Sequence, residues 1–168
     1  MKKSIKKSRI EFLASSLQPN YMLSLQLPHS CKAYKFERFR SYIKSIMKQV
    51  EKHLLDKKWN KHHYRFVVFY ENKNGLDAWH AHILINCTDK TTGKTEKIGN
   101  IEKAITKANH VFRCDNGCKE NIDVDISQLN SIKSVQSAID YCQKEAWNEN
   151  KPDNTDVRYE FSENLFSL

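Results

Sequence analysis

The chain contains no apolar run near the roughly 20 residues that would cross a bilayer, which removes integral membrane functions from consideration. Its start, Met1 to Lys7, is basic but leads into no uninterrupted apolar stretch with a small-residue cleavage site, so no secretory signal is expected. There is no internal repeat, no low-complexity tract and no Gly-x-x-x-x-Gly-Lys-Ser/Thr phosphate-binding loop. Cysteines number five; an odd count without an export signal points to reduced thiols in a reducing compartment.

What is present is an ordinary globular composition with a lopsided charge. At 168 residues, 39% apolar and 29% charged, the chain suits one domain with a sizeable core. Residues 1–65 hold 16 Lys and Arg against 4 Asp and Glu, a surplus of +12; the remainder carries −4, which recovers the net +8. A basic half interspersed with aromatic residues suits a nucleic-acid surface, because neutralising phosphates supplies most non-specific affinity.

Hydropathy periods divide the chain into elements. Residues 1–18 form a basic arm or short helix. Tyr21 to Leu27 alternates as a strand closed by Pro28. From about Ala33 to Leu55, Phe36, Phe39, Ile43, Ile46, Met47, Val50 and Leu54 recur at three- and four-residue steps and predict a helix. His63 to Glu71 reads as a strand that returns through an Asn74-Gly75 turn as a second strand over 79–87. A polar loop over 88–97, a short helix over 98–110, a turn at Asp115-Asn116-Gly117 and a half-wet strand over 122–126 follow. A last helix runs from about Asn130 to Trp147, with Ile132, Val135, Ile139, Cys142 and Ala146 as its core stripe. The segment from Asn148 reads as loop, with Val157 to Phe166 unassigned. The expected architecture is α+β, an antiparallel sheet with one face left open.

The most informative stretch is Trp79 to Asn86. Alternation along a strand puts His80 and His82 on one face and Trp79, Ala81, Ile83 and Ile85 on the other. Two neutral imidazoles side by side are half of a metal site. Glu71, across the hairpin, is the candidate third ligand, although its face depends on a register that a one-residue slip would reverse. A two-histidine, one-carboxylate set suits Mn²⁺ or Mg²⁺ acting on phosphate. Tyr141 and Lys144 stand about 60° apart on one flank of the last helix, a placement compatible with half-buried packing or with a nucleophile and a charge-stabilising partner.

These residues carry a resemblance. His80-Ala81-His82 resembles the HUH motif, and Tyr141-Cys142-Gln143-Lys144 resembles the YxxK motif of single-tyrosine HUH replication initiator proteins (Rep). Leu23 to Pro28 is similar to the first Rep motif, and Glu71 stands nine residues ahead of His80, as the metal-binding glutamate does in Reps of circular single-stranded DNA viruses. The resemblance spans about residues 20–147 of a single domain over 1–168, between the arm 1–18 and a tail 148–168. It implies a central antiparallel sheet of about five strands flanked by helices, with an RRM-like core. It also implies a metal-dependent nuclease that nicks and rejoins single-stranded origin DNA in rolling-circle replication. His80, His82 and Glu71 would hold the Mn²⁺ or Mg²⁺, Tyr141 would become linked to the 5′ end, and Lys144 would stabilise charge. Ser24 and Gln26 would contact DNA. Partners would be an origin hairpin and a host helicase and polymerase, since this chain carries no helicase motif. The location would be cytoplasmic for a plasmid or bacterial protein and nuclear for a eukaryotic virus.

One feature lies outside the family pattern, and two other readings compete with it. Cys114 and Cys118, with His110 nearby, suggest a zinc site only if Cys87 or Cys31 joins them; two free thiols in a turn is the preferred reading. A small HUH transposase is a second enzymatic reading, although those usually carry glutamine where Lys144 stands. A non-catalytic single-strand-binding module, with sheet aromatics as stacking platforms, is the third.

Overall fold

The computed structural model describes residues 8, 12, 14–26, 36–55, 63–72, 79–89, 92–116, 123–144 and 156–162; the side chains of 72, 113–116, 143, 144 and 156–158 lie outside that description. Five strands, β1 (Tyr21–Gln26), β2 (Arg65–Asn72), β3 (Trp79–Asn86), β4 (Asp123–Gln128) and β5 (Asp156–Phe161), form one antiparallel sheet in the order β4-β1-β3-β2-β5. Among the described residues three long helices accompany them: α1 (Phe36–Leu55), α2 (Ile98–Asn116) and α3 (Ile132–Lys144). The first six elements run β-α-β-β-α-β with the strands ordered 4-1-3-2, the split βαβ plan on which RRM-like domains are built. The fold is mixed α+β, as the hydropathy pattern predicts.

Alternation sorts the strand residues into two cores. Tyr21, Leu23, Leu25, Phe66, Val68, Tyr70, Trp79, Ala81, Ile83 and Ile85 face α1 and α2. The helical period of α1 supplies Phe39, Ile43, Ile46, Met47 and Val50 to that interface, all buried. Phe36 and Phe39 meet Tyr70 and Trp79 with ring centroids 5.1–6.2 Å apart. Each such ring contributes roughly 1.5–3 kcal/mol on burial, so this cluster is a principal anchor of α1 on the sheet. The opposite face is covered only in part. There Val67, Phe69 and Leu84 pack under Ala14, Leu17 and the α3 residues Ala138, Ile139 and Cys142.

Polar contacts fix the joints. Glu51, only 1% exposed on α1, accepts hydrogen bonds from the Tyr64 amide (2.8 Å) and pairs with His63 Nδ1 (2.9 Å), tying the entry of β2 to the helix. Burial pushes its carboxyl above the usual range, partly offset by the His63 contact. Arg40 forks onto Glu160 of β5, whose Oε2 also accepts from the Tyr70 hydroxyl at 3.3 Å. Ser131 caps α3: its Oγ accepts the Ser134 amide at 3.1 Å while Ser134 Oγ accepts the Ser131 amide at 3.0 Å, a reciprocal box.

Two sequence expectations need correction, the turn at Asp115-Asn116 and the burial of Ile132, and two open readings are resolved. Residues 156–161, unassigned by hydropathy from Val157 onward, are a strand, so the sheet extends beyond the 20–147 core. Helix α2 continues through Cys114, Asp115 and Asn116, where a turn is expected; side chains of Asn and Asp tolerate a helix's last turn as well as a loop. Ile132 is 91% exposed instead of belonging to the core stripe, because it is the first helical residue after the Ser131 cap and precedes the turn that meets the sheet; Ala138 takes its place inside. The arm is helical where it is described, at Ser8, Phe12 and Ala14 to Ser16. The Asn74-Gly75 turn, Pro28, Cys31, Gly117, Cys118 and Ala146 lie outside the described residues.

Candidate active site

The strand pairing resolves which face Glu71 occupies. Glu71 stands directly opposite His80, and Phe69 opposite His82, so the carboxylate shares the histidine face. On the other side of β3, Ser24 pairs with His82 and Gln26 with His80. Beyond β1, Asp125 pairs with Ser24 and Asp123 with Gln26. Two parallel rows therefore cross the sheet: Asp125, Ser24, His82, Phe69 and Asp123, Gln26, His80, Glu71. Where α3 leaves this face uncovered, a cavity of about 270 Å³ is lined by Ser24, Leu25, Gln26, His80, His82, Asp123, Asp125 and Tyr141.

His82 is held from three sides. Its Nδ1 lies 2.9 Å from Ser24 Oγ, its Nε2 lies 3.6 Å from Glu71 Oε2, and the Tyr141 ring meets it edge-on with centroids 5.1 Å apart. Ser24 fixes the orientation of the ring: its hydroxyl can accept from Nδ1–H or donate to Nδ1, and the first arrangement is the one that leaves the Nε2 lone pair available to a cation. Helix α3 delivers Tyr141 to this point because Ala138, Ile139 and Cys142 bind the neighbouring stripe to the sheet, leaving the tyrosine 41% exposed at the pocket's rim. Burial pushes the Cys142 thiol well up, with the nearby Glu71 adding to the rise, so this free cysteine acts as packing and not as a thiolate.

Glu71 is the anomalous residue. It is 1% exposed, and neither carboxylate oxygen has a hydrogen-bond partner among the described residues. Its 3.6 Å approach to His82 falls within ion-pair range yet is too long for a hydrogen bond. A buried carboxylate left in that state costs several kcal/mol unless a cation joins it. Metal bonds of about 2.0–2.2 Å put neighbouring donor atoms about 3.0–3.4 Å apart, close to the observed separation. Among the described residues no three His, Cys, Asp or Glu side chains stand as a ready-made cage. Of the three expected ligands, Glu71 Oε2 and His82 Nε2 stand 3.6 Å apart, and His80 lies next along the same face without completing a three-ligand group.

The other sequence candidates fall as follows. Ser24 and Gln26 both line the pocket, Ser24 against His82 and Gln26 exposed at the end of β1. Lys144 is the last residue of α3, one turn beyond Tyr141, and its side chain lies outside the described residues. His110 is exposed on α2; the side chain of Cys114 and all of Cys118 lie outside the description, and Cys87 is buried as a free thiol. Sequence reasoning missed the Ser24–His82 contact and the two aspartates. The alternation of Asp123-Val124-Asp125 already puts both carboxylates on one face; the neighbour across the sheet is what it does not reveal. Among the described residues no helix is long and apolar enough to cross a membrane. Comparison with protein-family models, curated proteins and solved structures returned no significant match.

Proposed function

We propose that this chain is a metal-dependent endonuclease and strand transferase for single-stranded DNA, working through a covalent phosphotyrosine at Tyr141. The observation that carries the reading is the convergence of Tyr141 on His82 beside a buried Glu71 carboxylate that has no hydrogen-bond partner among the described residues. A passive DNA-binding module needs neither feature. It would instead display stacking rings on its open face, whereas the pocket here is lined by Ser, Gln, His and Asp with a single tyrosine.

In this reading Glu71, His82 and His80 would hold a Mn²⁺ or Mg²⁺ ion, which would supply Lewis-acid polarisation of the scissile phosphate. Ser24 keeps the His82 ring in the orientation that turns Nε2 toward Glu71. The Tyr141 hydroxyl attacks phosphorus and gives up its proton to the solvent at the rim. The bond from phosphorus to the 3′ oxygen breaks, that oxygen takes up a proton, and the 5′ phosphate remains on the tyrosine. Attack by a 3′ hydroxyl reverses the sequence and rejoins the strand. Lys144, one turn on, stabilises charge on the phosphoryl oxygens. The basic N-terminal half supplies phosphate affinity. Initiation of rolling-circle replication at an origin hairpin is the role these steps serve, with unwinding and synthesis supplied by a host helicase and polymerase. Lys144 and the Leu23 to Pro28 stretch favour this over transposition.

The test is incubation with Mn²⁺ and labelled single-stranded hairpins of randomised loop sequence, followed by denaturing electrophoresis. A protein–DNA adduct that resists denaturation is expected for the native chain and is lost in Tyr141→Phe. An adduct undiminished in Tyr141→Phe would remove this tyrosine from the mechanism.

A further inference from the structure

The pocket has two chemically different walls. One is the histidine side, with Tyr141 at its rim; the other is Asp123 and Asp125 of the edge strand β4, both exposed and both on the same face as the histidines. Carboxylates are a poor choice beside a bound phosphate, since like charges repel, and they stand out in a chain carrying a net +8. Two strand spacings, about 10 Å, separate the aspartate and histidine strands. That is about the reach from a phosphate to the far edge of its own base. The cavity, at about 270 Å³, falls just below the roughly 300–1,000 Å³ of drug-sized ligand pockets and suits one base.

We infer that Asp123 and Asp125 read the base of the nucleotide held in this pocket, accepting hydrogen bonds from an amino-bearing edge and rejecting thymine. The inference rests on the nucleic-acid reading of the site and deepens it. A carboxylate only accepts, so its partner must donate: the N4 amino group of cytosine, the N6 amino group of adenine, or the N1–H and N2 amino edge of guanine. Thymine offers one N–H flanked by two carbonyl oxygens, both of which face the carboxylate unfavourably. Gln26, opposite Asp123, brings both a donor and an acceptor and so does not impose the preference by itself. Single-stranded bases expose these edges freely, which a duplex does not allow.

Binding of short fluorescent oligomers of deoxythymidine, deoxycytidine and deoxyadenosine at neutral pH measures the preference without any cleavage. The native chain should bind the cytidine and adenosine oligomers about 5- to 100-fold more tightly than the thymidine oligomer. Asp123→Ala with Asp125→Ala should erase the difference. The paired Asn substitutions, which add donors at the same positions, should recover thymidine binding, an inversion that a merely structural role would not produce. Ser127→Ala, on the same face of β4 but outside the pocket lining, should leave the preference intact. Equal affinity of the native chain for all three oligomers, or a preference that survives the Ala pair, overturns the inference. So does loss of Mn²⁺ affinity in the Ala pair with the base preference unchanged, which would make these carboxylates cation ligands. If no covalent adduct forms on any hairpin while the oligomer preference behaves as described, the nuclease reading falls and the base-reading wall stands.

Discussion

Replacing Glu71 by methionine exchanges a buried carboxylate without hydrogen-bond partners for an apolar side chain of similar length. In the absence of divalent metal this should stabilise the protein. Burying a charged group costs several kcal/mol after relaxation, and the 3.6 Å approach of His82 offsets only part of that. A net gain of about 1–3 kcal/mol is expected, or roughly 2–10 °C in Tm for a chain of this size. With Mn²⁺ the order should reverse. A ligand at 100 times its Kd stabilises the folded state by about 2.7 kcal/mol, which amounts to roughly 5–10 °C here. Thermal unfolding followed by circular dichroism, with a chelator and then with graded Mn²⁺, tests both halves. The native chain should gain stability with metal and Glu71→Met should not. An equal Mn²⁺ shift in both proteins would refute Glu71 as a ligand. A large loss of metal-free stability in the variant would show that the carboxylate serves the fold.

Other perturbations separate the remaining parts. Ser24→Ala removes the partner of His82 Nδ1 without touching a ligand and should weaken Mn²⁺ binding or adduct formation about 10- to 100-fold, read by titration and by gel; unchanged metal affinity and adduct yield would mean the ring is oriented by packing alone. Glu51→Ala leaves the buried Tyr64 amide without its acceptor and should cost about 1–3 kcal/mol in urea unfolding. Glu51 also predicts a pH trend of definite sign. Its folded-state value is raised by burial, so its cost is absent in acid, grows as pH rises from the ordinary glutamate range to the folded value, and then stays constant. The stability difference between Glu51→Gln and the native chain should therefore move in favour of glutamine as pH rises above the ordinary glutamate range, and a flat difference would argue against burial as the cause. Arg40→Met breaks the forked pair with Glu160 and should cost about 1.5–3 kcal/mol, with amide exchange accelerating first in β5.

The histidine strand was legible because its signal is local: a period of two with large apolar residues on one side and imidazoles on the other. So was α1, whose seven apolar positions repeat over five turns. The face of Glu71 was not, because pairing register is a relation between strands and one residue of slip inverts it. Ser24 illustrates the same limit. Its residue type and its place in the strand suggest a DNA contact, and only the pairing of β1 with β3 makes it the neighbour of His82. The strand β5 escaped notice because its pairing partner, β2, lies some 90 residues earlier and the intervening Asn-, Asp- and Pro-containing segment reads as loop. Ile132 shows that an apolar residue on the correct helical period still needs something opposite it to pack against.

The position of β5 has a consequence for how the molecule is made. Strand β2 carries Phe66, Val67, Val68, Phe69 and Tyr70 in an unbroken run, and β5 is what pairs with its outer edge. Of the five strands, β5 leaves the ribosome last. Until then the nascent chain presents this apolar run as an open hydrogen-bonding edge, the kind of surface on which strands of other chains add. Closing the sheet across so long a sequence separation is slow by comparison with forming the hairpin or the helices. Aggregation during expression should consequently track the integrity of the last dozen or so residues more closely than that of the pocket, and supplying residues 156–168 as a separate peptide should relieve it in a truncated chain.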